Sequence, residues 1–174
     1  SLGGALLLGA MGVGVRRARA LWTQREMLGP LGPGRTIPEF RARTLSGEVF
    51  GEGSLRAAPT MLVFWATWCG YCARQMPDVE EMHRTLGARG LRVIGVNTDR
   101  DGDQEAMVRD YIARKELSFP QVLDTGRVAR AFRNTMLPHI VFVSAEGEVV
   151  RVFQGKTSAQ TLRQAAEALL NAGA

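Results

Sequence analysis

Both cysteines of the chain stand in "LVFWATWCGYCARQMP", residues 62–77, as Cys69 and Cys72 with Gly70 and Tyr71 between them. An apolar run leads in and a helical pattern leads out. Cys69 therefore falls where a strand ends and a helix begins, with its sulfur in reach of unpaired helix-terminal amides that favour the ionised form. In such a setting a thiol pKa drops from ~8.5 into a range of about 3.5 to 7.5, which makes the sulfur an attacking group at neutral pH. Cys72, one helical turn on and on the inner face, is placed to resolve a mixed disulfide. Two other readings of the pair stay open. The cysteines can be ordinary core residues, or they can be metal ligands. Structural zinc needs more donors than two sulfurs, and no second cysteine pair exists. The only histidines are His83 and His139, so the metal alternative is a copper-binding module that uses Cys69, Cys72 and His139.

The remaining chain supplies elements to hold such a site. "FRARTLSGEVF" alternates and turns at Ser46-Gly47 as a hairpin does. "TMLVFWA" (60–66) and "LRVIGVNTD" (91–99) are continuous apolar runs of the kind covered on both faces of a sheet. Cys72, Met76, Val79, His83 and Leu86 recur at helical spacing between them, until Gly87 and Gly90. Met107, Val108, Tyr111 and Ile112 mark the inner face of a second helix. A short strand "FPQVLD", a short helix Val128 to Phe132 and a hairpin turned at Glu146-Gly147 follow. Leu162, Ala165, Ala166, Leu169 and Leu170 line the last helix. Strands joined by helices lie parallel and buried, which predicts an α/β domain with a central mixed sheet flanked by helices.

Composition narrows the function. The chain of 174 residues is 45% hydrophobic and 22% charged, as a globular domain with an appendage would be. Its net charge of +5 resides in residues 1–43, with seven arginines against two acids, and the remainder balances fifteen bases with fifteen acids. That neutral body predicts no basic face for phosphates and no nucleic-acid partner. Residues 1–35 read as an apolar and basic helical segment followed by the linker "GPLGPG", with the folded domain at 36–174. Ser1 to Val15 suits the apolar stretch of an export signal or the tail of a membrane anchor, with a tether through residues 1–28. Arg16, Arg17 and Arg19 follow this run where orientation rules would have them precede it, so a helix packed on protein is the alternative.

"FWATWCGYC", followed five residues later by Pro77, resembles the active site of the thioredoxin superfamily. "MLPHIVFV" resembles that family's cis-proline loop, and the resemblance implies a cis Leu137-Pro138 bond facing the cysteines, with Gly155 close by. The "VNTD" strand, the strand and helix inserted centrally, and "SAEGEVVRVFQG" are similar to the exported, often membrane-anchored branch typified by TlpA and ResA. The resemblance covers residues 37–172 and implies a thioredoxin-like fold with an N-terminal hairpin. It implies exchange of disulfides in exported proteins, apocytochromes c among them, outside the cytoplasm. It also implies a membrane-bound upstream redox partner and no cofactor beyond the Cys69-Cys72 disulfide itself. Trp68, Tyr71 and Leu137 are then expected to form an apolar rim for substrate, and His139 follows the proline where relatives often carry Thr. If His139 approaches Cys69, its cation would lower the thiol pKa further; otherwise it is a sheet residue.

Three features depart from the pattern. The buried Asp and Lys of thioredoxins correspond to Val63 and Gly95, the Glu that ResA-like proteins carry three residues after the second cysteine is Gln75, and Gly70-Tyr71 resembles periplasmic disulfide isomerases. With no buried carboxylate beside the pair, the thiolate is favoured and the disulfide should be more oxidising than thioredoxin's. Asp78 and Glu80 are expected on a solvated helix face. The peroxidase context Thr-x-x-Cys is absent.

Overall fold

The structure, a computed structural model, describes residues 31–173. Seven strands form one mixed sheet: β1 (Arg41–Thr44), β2 (Val49–Gly51), β3 (Thr60–Trp65), β4 (Arg92–Asn97), β5 (Gln121–Leu123), β6 (His139–Val143) and β7 (Val149–Gln154), in spatial order β2-β1-β5-β4-β3-β6-β7. The three inner strands β5, β4 and β3 run parallel, and β1, β6 and β7 add antiparallel. Every residue of β3 is buried, because helices cover both of its faces.

The helices are α1 (Glu52–Leu55), α2 (Gly70–Leu86), α3 (Gln104–Arg114), α4 (Arg127–Ala131) and α5 (Ala159–Ala172). On one face α2, α3 and α5 bury Cys72, Met76, Val79, Val108, Tyr111 and Leu162 against Met61, Val63 and Ile140. On the other face α1 and α4 bury Leu55, Val128 and Ala129 against Leu62, Phe64, Val96 and Val141. Alternate strand residues thus feed two separate cores, as the pleat requires. Local chemistry sets the helix starts: Asp103 Oδ1 accepts the Ala106 N–H at 3.1 Å, and Ser158 Oγ accepts the Thr161 N–H at 3.1 Å. The short helix α1 carries too few residues to show a period in the sequence.

The compact unit begins at Leu31, five residues before the expected boundary. Leu31 and Ile37 are buried in the second core. Gly34 N–H donates to Val149 O at 2.8 Å and Val149 N–H to Arg35 O at 2.8 Å, so part of the stretch read as a linker is an edge segment of the domain. The expected tether through residues 1–28 lies outside the described residues. No helix among the described residues is long and apolar enough to cross a membrane.

Candidate functional site

The C-terminal ends of the three parallel strands deliver the site, the usual location in sheets of this kind. Cys69 follows β3, Asp99 and Arg100 follow β4, and Asp124 with α4 follows β5. Cys69 is the N-cap of α2, in extended backbone at φ −83° and ψ 104°. Its N–H donates to Ala66 O at 3.2 Å, and its sulfur accepts the Cys72 N–H at 3.1 Å. The two sulfurs are joined as a disulfide, with the Cα atoms 5.2 Å apart. Cys72 is fully buried and Cys69 is 6% exposed, so the attacking position is the one open to a partner.

Around Cys69 the apolar rim takes shape. Trp68 is 74% exposed, Tyr71 60% and Met136 53%, while Leu137 is half-buried. Trp68, Cys69, Tyr71, Met136, Leu137 and Arg100 line one groove of about 580 Å³, with Gly70 at its edge. Arg74 stacks its guanidinium 4.5 Å from the centre of the Tyr71 ring. Met136 was not singled out in the sequence; its place just ahead of Leu137-Pro138 was the available signal.

The Leu137–Pro138 bond is cis, and Pro138 O accepts the Gly155 N–H at 2.8 Å. Two residues on, Thr157 N–H donates to Gln75 Oε1 at 2.8 Å. Gln75 is fully buried, and its Nε2 donates to Asp78 Oδ2 at 3.2 Å, which Lys156 Nζ reaches at 2.9 Å. The segment 155–157 therefore ties the proline loop to the helix that carries both cysteines. Glu80, expected in solvent, is buried: Ser118 donates to it from N–H at 2.8 Å and from Oγ at 2.5 Å. Burial by itself would raise the Glu80 carboxyl, but the Ser118 and Arg84 hydrogen bonds outweigh that and hold it below its ordinary value. Asp78 is half-buried rather than solvated.

Val63 and Gly95 face each other across β3 and β4, with no carboxylate at either position. A Cβ at Gly95 would collide with the Gln121 side chain, whose Oε1 accepts the Trp65 indole N–H at 3.0 Å. A different buried carboxylate does stand behind the motif, contrary to expectation. Asp99 is 3% exposed, and its Oδ2 accepts the Thr67 N–H at 2.9 Å and Asn97 Nδ2 at 2.8 Å. It anchors the loop two residues ahead of Cys69.

His139 does not reach the sulfurs. It shares the second face with Phe64, whose ring lies edge-on at 5.4 Å, whereas its neighbour Ile140 packs in the core that holds Cys69 and Cys72. The side chain is fully buried with neither ring nitrogen hydrogen-bonded, and burial pushes the imidazole down to about 4. It is neutral at physiological pH and supplies no cation to Cys69. The three-ligand copper site drawn from Cys69, Cys72 and His139 is not assembled, and no group of three or more His, Cys, Asp or Glu suited to a metal occurs among the described residues.

Known proteins agree with this arrangement. Residues 33–152 match the AhpC/TSA family. The thiol-disulfide oxidoreductase ResA of Halalkalibacterium halodurans is 30% identical over 132 residues, which are 75% of this chain and 73% of that one. The solved structure of MTB dsbF, in mixed oxidised and reduced forms, is 31% identical with a TM-score of 0.68, covering 77% of this chain and 99% of that one. A thiol:disulfide interchange protein of the thioredoxin family from Chlorobium tepidum TLS is 26% identical with a TM-score of 0.68, over 79% and 97% of the two chains. On these matches and on the Cys69-Cys72 disulfide at a helix start, the chain belongs to the AhpC/TSA family and is a thiol-disulfide oxidoreductase of thioredoxin-like fold.

Proposed function

We propose that the Cys-Gly-Tyr-Cys centre exchanges disulfides with protein substrates outside the cytoplasm, with Cys69 as the attacking sulfur and Cys72 as the resolving one. The observation that carries this reading is the Cys72 N–H aimed at Cys69 Sγ, on the one sulfur of the pair with access to a groove. In the reduced state that amide and the helix dipole stabilise the Cys69 thiolate. The thiolate attacks a substrate disulfide and expels one substrate thiolate. Cys72 then loses its proton and attacks Cys69 Sγ, which releases the second substrate thiolate and restores the internal disulfide. Two electrons and two protons pass to the substrate, and the reverse sequence oxidises a substrate dithiol. No cofactor beyond the disulfide enters either direction.

The apolar rim of Trp68, Tyr71, Met136 and Leu137 favours an unfolded or extended segment next to the substrate cysteine. Apocytochromes c and newly exported proteins are substrate classes of this description, and a membrane-bound partner would restore the redox state of the pair. Residues 1–28 would supply a tether. The test is a trap: Cys72→Ser in cells should accumulate mixed disulfides held on Cys69 and released by reductant, while Cys69→Ser should accumulate none. Equal recovery from both variants, or none from Cys72→Ser, would reject the assignment.

A further inference from the structure

Charge pairing is unevenly distributed over the domain. All six ion pairs among the described residues involve α2, α3, α5 or segments adjoining them: Arg84–Glu80, Arg89–Glu167, Arg109–Glu105, Arg114–Asp110, Lys156–Asp78 and Arg163–Glu81. On the side of α4 and β1, none of these pairs involves Arg41, Arg43, Arg100, Arg127 or Arg130. There Arg100 and Arg130 bring their guanidiniums to within 3.1 Å of the point a Cβ would occupy at Gly126. Two like charges thus face each other across a glycine whose φ of +92° and lack of side chain make the approach possible. Arg127, on the same short helix, lines a second cavity with Arg41 and Arg43 of β1. Arg41, Arg100, Arg127 and Arg130 have no carboxylate partner among the described residues, and Arg43 donates only to Gly47 O, at 3.1 Å. The nearest buried carboxylate, Asp124, is spent on backbone: its oxygens accept the N–H groups of Gly126, Val128 and Ala129, each at 2.9 Å.

Arg100 makes the arrangement functional rather than decorative, because it lines the groove that opens on Cys69. A band of positive charge therefore starts at the reacting sulfur, crosses α4 and ends on β1. The balanced charge count of residues 44–174 concealed this, since a sum does not show that Asp78, Glu80, Glu81, Glu105, Asp110 and Glu167 are taken up in ion pairs on or beside α2, α3 and α5. Asp101 is the groove's one carboxylate among the described residues and lies next to Arg100, so the field strengthens away from the sulfur.

We propose that this arginine band docks an acidic stretch of the polypeptide whose cysteines exchange with Cys69. The partner would present an apolar segment to the Trp68–Met136 rim and a run of Asp or Glu, offset from its cysteine, to Arg100, Arg130 and Arg127. Unpaired guanidiniums at a groove bind carboxylates without first breaking internal ion pairs, and fixed positive charge speeds encounter with an acidic chain. The inference rests on the functional reading above and adds a substrate class to it. An anionic bilayer or a nucleic acid would meet the same charges, but neither would use the band's continuity with the Cys69 groove.

The experiment follows reduction of the oxidised protein by synthetic peptides that carry two cysteines flanked by Asp, by Ser or by Lys. In each, a peptide thiolate attacks Cys69 Sγ and expels the Cys72 thiolate, and the second peptide thiolate closes the peptide disulfide and frees Cys69. The Asp peptide should react about tenfold faster than the Ser peptide at low salt and the Lys peptide more slowly, with the spread collapsing at high salt. Arg127→Glu with Arg130→Glu should invert the Asp-to-Lys preference, and Arg127→Gln with Arg130→Gln should flatten it. Equal rates for all three peptides in the unmodified protein would overturn the proposal and leave disulfide exchange standing. Failure of every peptide to react would overturn the functional reading and this inference together. Equal peptide rates combined with salt-sensitive binding to phosphatidylglycerol vesicles or duplex DNA, lost in the Glu variant, would reassign the band to those ligands.

Discussion

The two sides of the central sheet solve the problem of polar groups differently. On the side of α2, α3 and α5, the polar groups nearest the cysteine helix are tied down, Gln75 by Thr157 and Asp78 and Glu80 by Ser118 and Arg84, while His83 Nδ1 and the Tyr111 hydroxyl are buried without a hydrogen bond. On the side of α1 and α4, Asp124 is matched by three amides, but His139 is buried with both ring nitrogens unpartnered, and Arg41, Arg100, Arg127 and Arg130 lack carboxylate partners among the described residues. The sulfur chemistry is built on the side that carries the ion pairs and opens towards the side of α4. Rigidity holds the reacting atoms, and unspent charge is left where a partner can reach it.

The largest effect separates the sides by chemistry. Cys69→Ser should reduce insulin reduction to the uncatalysed background, because the other thiol, Cys72, is fully buried and does not line the groove. His139→Thr, on the opposite face, should leave the Cys69 thiolate titration where it was, as followed by pH-dependent alkylation. A displaced titration curve would mean that the imidazole does communicate with the sulfur through the sheet.

The next effect is on stability. Burial holds the His139 imidazole at about 4 in the folded chain, below the ~6.5 of an unfolded one. The unfolded state therefore takes up the proton first. The contribution is intact above about pH 6.5, is lost as pH falls towards 4, and levels off below that, for a total of roughly 3 kcal/mol. Urea titrations at pH 7 and pH 4 should show His139→Leu losing about that much less stability between the two pH values than the unmodified protein. An identical loss in both proteins would show that the ring finds a proton-accepting partner when charged.

Those two residues also mark how far the sequence could be read. The Cys-x-x-Cys motif, the run of β3 and the period of α2 were legible because each is a local pattern with one physical cause. His139 is the sheet residue the sequence offers as the alternative to a partner of Cys69, but the sequence does not say that β6 is covered on both sides, so that its face away from Ile140 is a second core rather than solvent. Glu80 was misplaced for a related reason. Helical spacing puts it away from the sulfurs, and only the chain folding back at Ser118 buries it. Leu31 was lost in a glycine- and proline-rich stretch whose composition reads as a linker, while its backbone pairs with residues a hundred positions on. The sign of the protein's total charge was legible and its segregation was not, since segregation depends on which helix lies on which face.

Smaller effects test the matched anchors of each side against each other. Gln75→Ala should leave the Thr157 N–H without its partner, and Asp124→Ala should leave the start of α4 uncapped; each should cost about 2 kcal/mol by denaturant unfolding. Gln75 should differ in one respect, because it sits one turn beyond Cys72 and ties down the segment whose Gly155 holds Pro138. Its loss should slow exchange with peptides as well as lower stability, whereas Asp124→Ala should act on stability and on the arginine band. Gln75→Glu adds an anion next to Asp78 on the cysteine helix, which should raise the Cys72 thiol pKa and pull the potential of the pair down towards the ~−270 mV of thioredoxin from a more oxidising starting value. Equilibration of both proteins with glutathione measures the difference, and a starting value already below thioredoxin's would show that Asp99 behind Thr67 has taken over the role of the missing carboxylates.

The smallest effect concerns the surface charges. Arg114 and Asp110 make a solvent-exposed pair at 2.8 Å one turn apart on α3, with both side chains more than half exposed. Such pairs contribute about 0.3–0.5 kcal/mol at most, since water screens the attraction and ordering two long side chains costs entropy. Arg114→Ala should therefore be nearly neutral in unfolding experiments. Arg130→Ala should go the other way by a similar amount, because removing one of two facing guanidiniums relieves repulsion that no carboxylate offsets. A stabilisation that fades with added salt identifies repulsion as its source. If Arg130→Ala instead destabilises the domain by as much as a buried anchor does, the guanidinium is structural, and the uneven pairing of charge across the sheet loses its functional meaning.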